Sequence, residues 1–504
     1  MNLRDIVIVG GGSAGWMCAA ALSTALATAL DGRYRIRLVE SDEIGTVGVG
    51  EATIPMIQRF NQFLGIAEDD FLRATHGTFK LGIEFEGWGD EDSRYIHGFG
   101  RVGQQLATVP FHQYWNRMRK LGRAGPMGDY AIACVAARAG RFARPDPSLG
   151  DSPLADIAYA YHFDATAYAR YLRQLACGRG VERIEGKIAG ATLGGDGKVD
   201  ELVLEDGRRV AGQFFIDCSG FRALLIGETL GTPFEDWSHW LPCDRALAVP
   251  CESEGPLLPL TRSSARRAGW QWRIPLQHRT GNGHVFSSAH MSEDEAASIL
   301  LATLDGKPLA DPRLLKFRAG RRTQAWNRNV VAVGLAGGFL EPLESTSLHL
   351  VQTAIARLIE FFPDAGFHPA DVAEFNRQSA FEVERIRDFI ILHYHLNRRT
   401  DSAFWRDCAA MAVPDSLRHK MELYRAHGRL VRIDNELFAE PGWLQVFEGQ
   451  GLHAEGHHPL AELRGDAEAE AYLAGVREVV ANCARAMPSH AEFIARCCGV
   501  ARAR

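Results

Sequence analysis

Six residues near the start of the chain, Gly10-Gly11-Gly12-Ser13-Ala14-Gly15, have the types and spacing of a turn that holds a diphosphate. The apolar run Ile6 to Val9 precedes them, and the small, apolar segment Trp16 to Leu22 follows, so the pattern is strand, tight turn, helix. Gly10 permits the turn, Gly12 lets the backbone approach a pyrophosphate, and Gly15 lets helix and strand pack closely. Ser13 and Ala14 complete the turn at a helix N-terminus that faces the phosphates. A second strand, Arg35 to Val39, ends at Glu40, close to the interval at which an acid meets adenosine ribose hydroxyls. These residues predict FAD or NAD. The glycine-rich tract 45–55, with Gly48, Val49, Gly50, Ala52 and Thr53, reads as a loop laid against a ligand. Glycine also follows the strands that end at Asp217 and near Val333.

Two further tracts could do chemistry or shape it. In Glu344-Ser345-Thr346-Ser347, Ser345 is the expected N-cap of a helix whose apolar face is Leu348, Val351, Ile355, Leu358 and Phe362. A helix start is a natural anion site. Trp270 and Trp272 stand two apart on a strand that ends at Pro275, so both rings face one side as a packed pair.

The elements that must position these residues belong to a large globular chain. With 504 residues, a net charge of -6, 46% hydrophobic content and no polybasic run, nucleic acid is not an expected partner. The first residues read as a strand and not as a signal peptide, and no run of about 18 apolar residues suggests a membrane span. A cytoplasmic location is the simplest reading. Ten scattered cysteines without a C-x-x-C pair are expected to be reduced and mostly buried. His453, His457 and His458 lie in a Gly-rich, acidic stretch without the spacing of a metal site, and no metal is expected.

Several motifs, in order, resemble the flavin-dependent, tryptophan-type halogenases. They are the G-V-G-E-A-T-I-P tract to Pro55, Phe79-Lys80-Leu81-Gly82-Ile83, W-Q-W-R-I-P at 270–275, E-P-L-E-S-T at 341–346, and Arg387 to Trp405. The resemblance implies an α/β, FAD-dependent monooxygenase-like fold: a GR2-type Rossmann FAD-binding body over 1–360, including the substrate-chamber sheet, and a mainly helical part over 361–504 covering that chamber. It also implies that FADH2, oxygen and chloride or bromide yield hypohalous acid, which an interior passage leads to an electron-rich aromatic ring. Lys80 and Glu344 are the implied catalytic pair. Lys80 would donate a hydrogen bond to the oxidant or form a haloamine, and Glu344 would polarise the electrophile or accept the ring proton. Halide is assigned to Thr346 and Ser347, although well-known members carry glycine at the second position. Ile188, Asp217, Leu335 and Leu348 are assigned to the flavin, and Trp270, Trp272 and Ser345 to the passage.

The same resemblance places His97 and Phe99 at the substrate, with Phe99 stacking on a flat ring, and Trp443 joins them from a C-terminal aromatic stretch that departs from the family pattern. The adjacent tyrosines that clamp the head group of free tryptophan in the family are not seen, and Glu436 to Leu444 offers an aromatic wall instead. Indole, an indole derivative or another electron-rich aromatic is therefore the expected substrate. With one glycine motif in the chain, a separate NAD(P)H-dependent flavin reductase is the expected partner, and a homodimer is left open. The alternatives are an FAD-dependent aromatic hydroxylase, which needs neither Lys80 nor the Glu344 helix start, and a non-catalytic flavin-binding redox sensor.

Overall fold

The computed structural model describes residues 3–26, 34–44, 50–106 and 108–499. The expected Gly48 and Val49 contacts lie outside them. Packing divides the chain into two compact units, each assembled from three segments. The first holds 1–77, 163–244 and 316–384, and the second 78–162, 245–315 and 385–504. This division is interleaved along the chain, whereas the sequence reading draws one boundary at 360.

The first unit is built on a parallel sheet. Asp5–Val9 is central, with Arg35–Glu40 and then Glu182–Glu185 on one side, and Phe214–Asp217 and then Val330–Ala332 on the other. Such strands are covered on both faces, which is why Ile6 to Val9 is an unbroken apolar run. The helix Ser13–Ala25 packs against Ala165–Gly178. Val7, Val9, Val39 and Phe215 join Leu202 and Leu224 to Ile226 in a buried cluster.

The second unit contains a seven-stranded sheet in the order Arg313–Lys316, Arg245–Cys251, Thr280–Phe286, Gly269–Pro275, Leu260–Arg266, Gly82–Glu86, Arg94–Gly98. Leu260–Arg266 and Gly82–Glu86 run parallel, and the neighbours of each pair antiparallel to it. Trp272 lies opposite Gly283, and a Cβ on Gly283 would stand 2.0 Å from the indole, so the glycine makes room for the ring. Beyond Pro369 the described chain carries helices and no strand: Pro369–His395, Ala403–Ala410, Asp415–His427, Glu440–Gly449, Asp466–Ala486 and His490–Cys498. The molecule is thus a mixed α/β protein with a helical C-terminal part. Among the described residues no helix is long and apolar enough to cross a membrane.

One expectation about local structure is corrected. Ser345 does not cap the helix Ser347–Glu360. It takes a left-handed conformation, φ 59°, at the end of the short turn Pro342–Glu344, and Thr346 is the N-cap. The turn closes by the bond from Ser345 N to the Pro342 carbonyl at 3.0 Å, which moves the helix start one residue on.

Candidate active site

In the first unit a cavity of about 430 Å³ opens beside the glycine turn, lined by Gly10, Gly11, Gly12, Trp16, Glu40, Ile188 and the 218–224 loop. The three motif glycines meet three different conditions. Gly10 has φ 103°, and a Cβ there would sit 2.5 Å from the Cys218 carbonyl oxygen. At Gly15 it would sit 1.9 Å from the Gly10 carbonyl oxygen, which enforces the close approach of helix and strand. At Gly12 nothing lies within 4 Å, so the space beside this residue is left for a ligand. No side chain caps the helix there and no acid lies in its first turn. This open, uncapped start suits the diphosphate of a flavin dinucleotide.

Glu40 lines the cavity, and its carboxylate accepts from the Trp16 indole at 3.3 Å and from Arg183 Nε at 2.6 Å, with Arg173 at 3.5 Å. Both cations therefore pair with this carboxylate at the cavity wall. Neither arginine carries a sequence signal. Asp217 stands apart from the cavity wall. It is fully buried and accepts from Ser219 N and Oγ and from the backbone N–H groups of Leu225 and Ile226. With four donors on two oxygens, it shapes the 218–226 loop that backs the site.

Elsewhere in this unit, Gly50, Ala52 and Thr53 are buried in the short strand Gly50–Ala52 and just after it. Gly334 touches Ala14 on one helix and Val351 on another, where a Cβ would stand 3.1 and 3.4 Å away. That contact brings the expected flavin neighbours together: Leu335 follows it as a partly exposed leucine, and Leu348 lies buried one turn before Val351. Glu344, Ser345 and Thr346 are all buried, and no side chain caps the helix that follows. Half-buried Glu382, on the helix Pro369–His395, accepts from His349, Thr353 and Arg357 of the helix Ser347–Glu360. Burial pushes the Glu382 carboxyl up, but bonds and charge from His349 and Arg357 outweigh this and hold it below the usual carboxylate range.

The second unit gathers a different set. Lys80 ends the strand Thr78–Lys80, is fully buried, and holds its ammonium 5.4 Å from the Phe99 ring centroid, within reach of a cation–π contact. His97, Phe389, Phe438 and Trp443 form a ring cluster: Phe438 stacks on Phe389 at 3.8 Å, Trp443 meets Phe389 edge-on at 4.8 Å, and His97 lies 5.6 Å from Phe389. The wall is held from behind by a buried ion pair, Lys420 to Glu436 at 2.6 Å, whose ammonium also lies 4.8 Å from the Trp443 ring centroid. The sequence places Phe438 in the 436–444 aromatic stretch and Phe389 in the Arg387 to Trp405 motif, and the structure stacks the two rings on each other. Trp270 and Trp272 are buried with ring centroids 6.1 Å apart, and Trp88 packs on Trp270.

The three C-terminal histidines have local partners: His453 bonds Glu448, His457 bonds Glu462, and His458 accepts from Leu460 N. Among the described residues no group of three or more potential ligands gathers as a metal site.

The comparisons with known proteins agree with this geometry. The family model for tryptophan halogenase matches residues 5–466. The chain belongs to the tryptophan halogenase family. A curated 7-chloro-L-tryptophan 6-halogenase from Kutzneria sp. (strain 744) is 33% identical, over 98% of this chain and all of that protein. A flavin-dependent halogenase from Xanthomonas campestris superimposes with a TM-score of 0.95 at 51% identity, covering 99% of both chains. One from Brevundimonas sp. BAL3 gives 0.94 at 48%, covering 98% of this chain and 99% of its own. As a member of the tryptophan halogenase family, the protein is a flavin-dependent halogenase. It acts with flavin and halide on an aromatic substrate, with a separate enzyme reducing the flavin.

Proposed function

We propose that the protein binds FAD, uses it as FADH2 with oxygen and chloride or bromide, and halogenates indole or an indole derivative. The observation that carries this reading is Lys80, a fully buried lysine with its ammonium 5.4 Å from the Phe99 ring centroid in the unit that also holds the His97, Phe389, Phe438 and Trp443 cluster.

Gly12 and the uncapped helix start beside it would take the diphosphate, with Glu40 at the ribose. Bound reduced flavin supplies, with oxygen, the two-electron oxidation that converts halide to hypohalous acid. The helix start at Thr346 and Ser347 would hold the halide by backbone N–H groups, and the Ser347 hydroxyl adds a donor. Lys80 would orient the oxidant, by a hydrogen bond or as a haloamine. The halogen then bonds to a ring carbon as its bond to oxygen breaks, the departing hydroxide takes a proton from the Lys80 ammonium and leaves as water, and Glu344 accepts the ring proton. Trp270, Trp272 and Ser345 would shape the passage. The unbridged cysteines favour a cytoplasmic setting.

The indole reading rests on the aromatic wall at 436–444 in place of a head-group clamp. The test is mass spectrometry of the purified protein with FAD, a flavin reductase, NADH, oxygen and either halide, over indole, tryptophan and simple phenols. A halogen isotope pattern on indole and none on tryptophan is expected. Equal halogenation of tryptophan overturns the substrate assignment, and hydroxylated product overturns the reaction.

A further inference from the structure

Lys80 sits on a strand of three residues, too short to fix a side chain by its own ladder. The strand pairs with 160–162, and a buried chain of hydrogen bonds through His162, the cross-strand partner of Thr78, adds a side-chain tie. Thr78 Oγ1 lies 2.7 Å from the Pro275 carbonyl oxygen and 3.0 Å from His162 Nδ1, and His162 Nε2 lies 2.9 Å from Thr261 Oγ1. Counting donors orders the chain. A carbonyl only accepts, so the Thr78 hydroxyl donates to Pro275 and accepts from His162 Nδ1–H. The imidazole then accepts at Nε2 from the Thr261 hydroxyl. His162 is neutral in this arrangement. Its proton affinity is held well below the ordinary histidine value by burial and by the charges of Lys80 and Arg273. His162 and Thr78 are fully buried and Thr261 nearly so.

Thr78 and Lys80 point to the same side of their strand, because side chains alternate. On the other side, Phe79 is stacked on Phe142 at 4.0 Å, and its backbone N–H donates to His490 Nε2 at 3.1 Å. His490 Nδ1 in turn donates to the Leu257 carbonyl at 3.0 Å, and burial pushes this histidine down to about 4. Two neutral imidazoles therefore clamp the residues on the N-terminal side of Lys80, one by a side chain and one by the backbone.

We propose that His162 is the positioning residue for Lys80. By donating to the Thr78 hydroxyl it fixes the group that ties the lysine's strand to the carbonyl of Pro275, the last residue of the Trp270–Pro275 run. This gives Pro275 a role beyond ending a strand, since its carbonyl anchors the chain. The inference rests on Lys80 being the residue that delivers the halogen.

The experiment measures how oxidised halide divides between halogenated aromatic and free hypohalous acid caught by an added β-diketone trap. Flavin binding and thermal unfolding are followed alongside. His162→Phe keeps a ring but removes both hydrogen bonds, and it is expected to lower the product-to-trapped ratio at least tenfold while FAD affinity and FADH2 consumption stay unchanged. His162→Asn keeps an N–H donor directed at Thr78 and is expected to restore most of the ratio, a rescue that loss of packing alone would not produce. Thr261→Val removes only the far donor and is expected to lower the ratio about threefold, the size of one hydrogen bond. If His162→Phe does not accumulate folded, Thr261→Val and His162→Asn carry the test. A wild-type ratio in folded His162→Phe, or in folded Thr261→Val, overturns the proposal. Lys80→Ala separates the two readings: if it retains the wild-type ratio, the lysine assignment itself falls. If Lys80→Ala loses the ratio and the His162 variants do not, only the positioning role falls.

Discussion

The two units use different parts of the chain to do their work. In the first, the dinucleotide corner is made by backbone: a left-handed glycine, a glycine with open space beside it, a glycine in close quarters and an uncapped helix start, all within six consecutive residues. In the second, the proposed reacting region is made by side chains brought from far apart: buried Lys80, His97, His162, Phe389 and Trp443, with half-buried Phe438. A backbone site is tolerant of side-chain chemistry and sensitive to any added Cβ. A side-chain site is the reverse, because each polar group in it has been taken out of water and depends on a partner.

Lys80→Ala is expected to have the largest effect, a loss of halogenation of about 10²- to 10⁴-fold, the range for removing a positioned proton donor. FAD binding, followed by flavin fluorescence, is expected to stay at the wild-type level. Concurrent loss of FAD binding would break the separation of the two regions. Next comes Lys420→Met, which leaves Glu436 buried and unpaired and is expected to cost about 3–5 kcal/mol in chemical unfolding, while Lys420→Met with Glu436→Leu recovers most of it. A single mutant as stable as wild type would show that the aromatic wall does not depend on this pair.

The glycine turn gives a paired test. Gly15→Val drives a side chain into the Gly10 carbonyl and is expected to destabilise the FAD-free protein by about 1–3 kcal/mol. Gly12→Val meets nothing in the protein, so the FAD-free form is expected to melt normally while FAD affinity falls at least tenfold. Equal melting temperatures for the two variants would contradict the division between a packing glycine and a ligand glycine.

Stability against pH is expected to follow the same contrast. In the second unit, burial pushes His284 and His490 down to about 4, so between there and the unfolded value near 6.5 the unfolded chain binds more protons than the native one. Their contribution is present above that window and is lost as pH falls through it, at about 1.4 kcal/mol per pH unit for each group. In the first unit burial raises Glu51 to about 7, so its contribution runs the other way, present below about 4.5 and lost as pH rises towards 7. Urea unfolding from pH 4 to 7.5 checks both signs, with His490→Gln flattening the acid side. The smallest effect is expected at Ser347→Gly, where loss of one hydroxyl beside the halide should change the bromide-to-chloride product ratio by about three- to tenfold. An unchanged ratio would leave the anion to the backbone alone.

The first unit was largely legible. Ile6 to Val9, the glycine turn and the Trp16 helix are contiguous, and the Glu40 strand end lies 25 residues past Gly15 in the same strand-helix-strand unit, so periodicity and spacing describe them without reference to the rest of the chain. Two details escaped. The helix near 346 starts one residue later than Ser345 suggested, because a left-handed turn residue and an N-cap draw on similar residue types. Asp217 reads as a ligand acid from its strand end, but its carboxylate is consumed by the loop it holds. The second unit was legible only where the family resemblance supplied a motif. His162 sits in an unremarkable local pattern and Phe438 is read only as part of the 436–444 aromatic stretch, while their partners are 84, 99 and 49 residues away.

By itself the sequence determined the dinucleotide turn, the α/β class and the family, because each is written in contiguous residues whose conformations are set locally by glycine freedom, strand alternation and helix ends. Only the tertiary structure decided which imidazole supports Lys80, which rings form the wall and which acid is spent on its own loop. Hydrogen-bond capacity and burial belong to neighbours in space, and no spacing along the chain records them.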